Sequence, residues 1–152
     1  MERIASIPLR STQRFSQLFC DYVEGKPSLR SFYGLAPQPE SIPSQIAKKQ
    51  FSDEDRTLLV DRLILQYQNT GVELKDGVKK NIELLKRKGT YTFTTGHQLN
   101  LFTGPLFFHY KVMTTLALAK DAKKRFPNHD FVPVLWMATE DHDLQEIDHC
   151  FL

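Results

Sequence analysis

Cysteine is scarce in this chain. The two present, Cys20 and Cys150, stand far apart. Neither has the close spacing of a zinc or redox pair, and a reduced compartment suits them. Long apolar runs are missing as well. No stretch approaches the ~20 residues needed to span a bilayer, and Met1-Glu2-Arg3-Ile4-Ala5-Ser6 lacks the apolar core of a signal peptide. The expectation is a cytoplasmic protein with no membrane partner. Charge of one sign is not in excess: 20 basic residues against 18 acidic ones leave a net +2, so no nucleic-acid partner is expected. Internal repeats, low-complexity tracts, GxGxxG and the Walker sequence are all absent. What remains is 41% hydrophobic and 25% charged, a composition that excludes disordered and fibrous classes.

The first part of the chain reads as helices and connectors. Ile4 to Leu9 is a short extended run, broken by Pro8, and Ser11 or Thr12 can cap a helix. Phe15, Leu18, Phe19, Tyr22 and Val23 follow helical spacing, which places Phe19 and Tyr22 in a core and ends the helix near Gly25. Pro37, Pro39 and Pro43 then argue for an extended connector. Ser52-Asp53-Glu54-Asp55 is a helix start, with a capping hydroxyl and three acids at the positive end of the dipole. Leu58, Leu59, Leu63, Ile64 and Tyr67 form its stripe, and Asn69-Thr70-Gly71 ends it. A further helix runs from Lys75 to Lys88, with Val78, Ile82 and Leu85 in register and Gly89 as its stop. Lys86-Arg87-Lys88 suits a solvated helix end; phosphate contact is the alternative.

From Thr90 onwards the pattern changes to an α/β fold. Tyr91 to Thr94 reads as a strand, Thr95 to Pro105 as a polar turn, Leu106 to Lys124 as a helix and Phe131 to Ala138 as a second strand. Trp136 and Met137 read as core. Two parallel strands joined by a helical crossover make a βαβ unit, and in open α/β sheets ligands sit beyond the carboxyl ends of the strands. Both polar clusters of the chain follow strand ends, so they should share one rim. Two parallel strands cannot cover their own faces. The reading is therefore of a helical segment over residues 1–89 packing on a core begun by residues 90–152, with further strands expected beyond Leu152.

Candidate chemistry lies in those two clusters. In the turn, Gly96 would permit positive φ or close approach of a ligand, and exposed amides attract anions. Thr103-Gly104-Pro105 precedes a helix whose free N–H groups are a ready anion site. His97 and Gln98 could orient a charged group, and Lys111 could reach the same anion. The plainer reading is that two glycines turn a long loop. In the second cluster, Glu140, Asp141, His142, Asp143, Glu146, Asp148 and His149 crowd eleven residues. They could be dipole partners of a helix capped by Thr139. His142, Asp143, Glu146 and His149 could hold a divalent ion, since 142, 146 and 149 would share a helical face. Or His142 could take a proton, with Asp143 or Glu140 fixing its tautomer. Spacing does not separate these.

The wording of the rim narrows the choice. Thr95-Gly96-His97-Gln98, then Leu101-Phe102-Thr103-Gly104-Pro105-Leu106 and Tyr110-Lys111, then Val132-Pro133-Val134-Leu135-Trp136-Met137-Ala138-Thr139-Glu140-Asp141-His142-Asp143 resemble the N-terminal half of the BshC family, cysteine ligases of bacillithiol biosynthesis. The resemblance implies a Rossmann-like parallel core preceded by helices, without the family's coiled coil, which mediates homodimerisation. It implies joining of cysteine to glucosaminyl malate through an amide. Carried over, Thr95, Gly96, His97, Gln98, Thr103, Gly104 and Lys111 would bind substrate or phosphate, and His142, Asp143 and Glu140 would be catalytic. No resident metal is implied, and ATP is the candidate cofactor. Family members run to several hundred residues, so the chain matches less than their first third. An inactive fragment or a small-anion-binding module is the alternative.

Overall fold

The structure is a computed structural model and describes residues 5–140. Two compact units divide the chain, residues 1–49 and 50–152. In the first, helix α1 (Gln17–Val23) starts at Ser16, whose hydroxyl accepts from the Phe19 N–H at 3.2 Å. The expected caps are occupied otherwise: Ser11 and Thr12 close a short 3-10 turn, donating to the carbonyls of Pro8 and Leu9. Phe19 is not core within the described residues but 42% exposed, while its neighbour Cys20 is buried. The proline-rich stretch is also less extended than its composition suggests. Pro39 and Pro43 sit in the first turns of a 3-10 turn (Pro39–Ser41) and of α2 (Ile42–Lys48), where a missing N–H costs no intrahelical bond.

In the second unit, α3 (Asp53–Thr70) begins as its capping signal requires, with the Ser52 hydroxyl accepting from the Asp55 N–H at 3.0 Å. Gly71, at a φ of 67°, ends it in the left-handed conformation that favours glycine. Helix α4 covers Asp76–Leu85, shorter than the Lys75–Lys88 pattern, because the chain must leave the helix to enter the sheet. Gly89 makes that exit at a φ of 90°. Strand β1 (Thr90–Gln98), helix α5 (Leu106–Arg125) and strand β2 (Asp130–Ala138) follow.

The two strands pair in parallel from Thr90 opposite Asp130 to Gln98 opposite Ala138. The βαβ unit is thus present, with one correction. Thr95, Gly96, His97 and Gln98 are strand rather than turn, since their main chain continues the ladder opposite Leu135 to Ala138. Successive strand residues face opposite sides. Val132 and Val134 join Val60, Ile82 and Leu85 in a core built with α3 and α4. On the other face, Phe131 packs near Phe126 at the end of α5, and His97 meets Phe107 and Phe108 at its start. The small buried residues Thr115, Ala119 and Ala122 allow α5 a close approach. Helices therefore cover both faces, as a parallel sheet demands.

Cover is closest at the start of the strands, where Thr90 and Val132 are buried, although Thr92 and Thr94 of β1 are exposed. Trp136 and Met137, expected in the core, are 58% and 43% exposed; on the face of Trp136, α3 and α4 pack over the Val132 end of β2 and not over its last residues, while Met137 points to the opposite face. At the buried end, Arg56 of α3 donates from Nη1 to the carbonyls of Leu85 and Thr90, at 3.1 and 3.2 Å. One guanidinium thus joins α3 to the end of α4 and the start of β1. No helix among the described residues is long and apolar enough to cross a membrane.

Candidate functional site

The last pair of the ladder, Gln98 and Ala138, brings two chain segments to the same edge of the sheet. One is the loop of residues 99–105; the other is Thr139-Glu140, which turns away from β2 in the open. That edge is the carboxyl end of both strands, where α/β sheets bind ligands. Asp141, His142, Asp143, Glu146, Asp148 and His149 lie outside the described residues.

The predicted residues of β1 do not act as one surface. Thr95 and His97 face α5, whereas Gly96 and Gln98 face the side of Val132 and Trp136. Gly96 has no positive φ, contrary to the expectation for a turn. A Cβ placed on it would meet Trp136 at 3.6 to 3.7 Å, ordinary contact, so its backbone is free for close packing but not forced. The left-handed conformations lie further on, at Phe102 (47°), Thr103 (71°) and Gly104 (77°). Three in succession make a tight reversal that returns the chain to α5.

Inside that reversal, polar groups are paired locally. The Asn100 amide nitrogen lies 2.7 Å from His97 Nδ1 and 2.7 Å from the Gln98 carbonyl. The His97 ring packs against Phe107 at 5.1 Å and edge-on to Phe108 at 5.2 Å. Thr103 Oγ1 lies 3.4 Å from His109 Nε2. Lys111, one turn into α5, donates to the Gly96 carbonyl at 3.0 Å with its ammonium near the Phe107 ring. It thereby holds α5 to β1 beside the loop.

The start of α5 has Pro105 as N-cap, no side-chain cap and no acid in its first turn. Its leading N–H groups and the positive end of the dipole favour an anionic oxygen. The structure brings Thr103, Gly104, His97 and Lys111 to that helix start and directs Gln98 and Gly96 to the opposite face. Asn100, Phe107 and Phe108 organise the imidazole, yet sequence reasoning gave them no role. The available signal was an asparagine three residues after a histidine in a loop, where side-chain amides commonly bond nearby backbone.

Residues 2–152 match the family described as bacillithiol biosynthesis BshC, N-terminal Rossmann-like domain. The chain belongs to the BshC family. It is 47% identical over 145 residues to a Flavobacterium johnsoniae protein named "Putative cysteine ligase BshC", covering 94% of the chain and 27% of that relative. A Flavobacterium psychrophilum protein of the same name is 49% identical over 138 residues, 89% of the chain and 26% of the relative. A Bacillus cereus protein so named is 33% identical over 132 residues, 87% of the chain and 24% of the relative. The chain spans about a quarter of the length of these BshC relatives. Its βαβ unit is therefore part of a Rossmann-like BshC domain, and the rim corresponds to the ligand edge of that architecture.

Proposed function

We propose that this chain supplies the Rossmann-like, substrate-holding part of a ligase that joins cysteine to glucosaminyl malate in the last step of bacillithiol biosynthesis. The family match over residues 2–152 carries the reading. In the reaction the amine of glucosaminyl malate forms a C–N bond to the cysteine carboxyl carbon, and one carboxyl oxygen leaves, in sum as water. A carboxylate resists such attack, so activation is needed and ATP is the candidate source. The uncapped start of α5 suits a phosphoryl or carboxylate oxygen.

In this reading Thr103, Gly104, His97 and Lys111 hold the anionic group, with Thr95, Gly96 and Gln98 shaping the strand end beneath them. His142 accepts the proton that the attacking amine loses, and Asp143 or Glu140 fixes its tautomer. The full chain works as a homodimer through the coiled coil of its family.

The test is to express the full chain and incubate it with cysteine and glucosaminyl malate, with and without ATP, following mass. A product at the summed mass less water supports the ligase, and its dependence on ATP identifies the activating group. Well-folded protein that forms no product under either condition overturns this reading.

A further inference from the structure

Helix α5 carries apolar side chains on two opposite faces. Its inner face is set by the buried residues Thr115, Ala119 and Ala122, with Phe108 and Val112 half-buried in the same line. At about 3.6 residues per turn, the line across the helix from these runs through Leu106, Tyr110, Met113 and Ala117. The first three are 69%, 66% and 63% exposed, and Ala117 is exposed too. A helix lying on a sheet ordinarily turns polar residues outward, and one that is apolar all round is buried. Scattered apolar side chains at a surface need no explanation, but three large ones a turn apart on one line do.

The remainder of the same face supplies a comparison. Lys120 and Lys124 continue it, both exposed, so the last turns of α5 suit water and the first three do not. Between Leu106 and Ala119 the only Lys, Arg, Asp or Glu is Lys111, and its ammonium is turned inward to the Gly96 carbonyl. The uncovered apolar stretch is therefore the half of α5 that begins at the rim. Its residues recur at steps of four, three and four, the spacing with which one helix packs along another at a small crossing angle.

The size of the face decides its occupant. Four side chains over about three turns fall far short of the ~20–30 residues and ~800 Å² per partner that a free-standing dimer buries. A segment of the same polypeptide needs no such area, because its tether sets a high effective concentration. Such polypeptide is plentiful: the match is to an N-terminal domain, and the chain spans about a quarter of the length of its relatives. We propose that, in the full protein, a helix from the part that follows this domain packs along the outer face of α5, over Leu106, Tyr110, Met113 and Ala117. Because Leu106 opens α5, that helix stands beside the anion-favouring helix start and forms a wall of the rim. The proposal does not depend on which reaction the rim performs.

The test uses the full protein. Hydroxyl-radical footprinting of the unaltered protein reads Tyr110 and Met113, two readily oxidised side chains, against the same residues in urea-unfolded protein. Each should be modified at least about tenfold more slowly in the folded state; modification near the unfolded rate overturns the proposal. Placing p-benzoylphenylalanine at Tyr110, and in a second variant at Met113, then identifies the cover. Light and 15N-labelled copies are unfolded and refolded together, so that any oligomer is scrambled, and the photolysed mixture is read by mass spectrometry. Cross-links between like-labelled peptides, with the partner beyond residue 152, support the proposal. Cross-links of mixed label assign the face to a second copy, and partners within residues 1–152 assign it to this domain itself. Either result overturns the proposal, as does the absence of a cross-link from both positions.

Discussion

The Arg56 guanidinium donates to the Thr90 carbonyl across 3.2 Å while the same Nη1 reaches the Leu85 carbonyl at 3.1 Å. Arg56 is only 7% exposed, and the Phe51 ring lies 5.4 Å from its guanidinium carbon. A cation at the last carbonyl of α4 also opposes the negative end of that helix dipole. Arg56→Met should keep most of the packing and strand two buried carbonyls, lowering stability by about 2 kcal/mol. Urea unfolding followed by circular dichroism measures this. An unchanged midpoint would remove Arg56 as a fastening between α3 and β1.

The parts of the fold governed by local pattern were legible. Ser52 with three acids marked α3, Gly71 marked its end, and the apolar stretches from Leu106 and Phe131 marked α5 and β2. What failed was decided by distant partners. Thr95 to Gln98 has the composition of a turn, and becomes strand because Leu135 to Ala138 complete the ladder from some forty residues away. Trp136 reads as core from its neighbours in sequence, although its burial depends on how far α3 and α4 extend over β2. The convergence of the two strand ends followed from the βαβ reading itself. The contact of Asn100 with His97 did not, because it depends on where one amide points within a loop of unusual backbone.

Glu24 gives a pH dependence in the first unit. Arg10 donates from Nε and Nη2 to the two carboxylate oxygens of Glu24, at 3.1 and 2.9 Å, and from Nη2 to Asp21. The hydrogen bond from Arg10 is the largest cause holding the Glu24 carboxyl below its usual 4.5, against a smaller opposing effect of desolvation. A depressed carboxyl contributes stability that is fully present above the unfolded value and is lost as pH falls through the folded one. The group is exposed, so the effect is local. Titration of the Glu24 carboxyl carbon by NMR should give a midpoint below 4.5, and Arg10→Gln should move it upward. A midpoint unaffected by that substitution would show that the pair does not persist in solution.

His142 tests the acid/base part of the proposed reaction. In the full chain His142→Ala should reduce kcat by about 100-fold or more, the usual contribution of a positioned general base, while the unfolding midpoint stays unchanged. Turnover equal to that of unaltered protein would take His142 out of the mechanism.

The left-handed residues of the loop bear on engineering. Phe102 holds φ 47° and ψ 42° with 81% of its surface exposed. A phenyl-bearing residue disfavours that conformation, and its ring recovers little from burial in the second unit. Phe102→Gly should therefore raise thermal stability, by about 1 kcal/mol, without touching the Asn100 contact. Differential scanning calorimetry would register the gain. The reversal between sheet and helix is thus a site where a more robust variant can be sought by subtraction, with the rim chemistry kept intact.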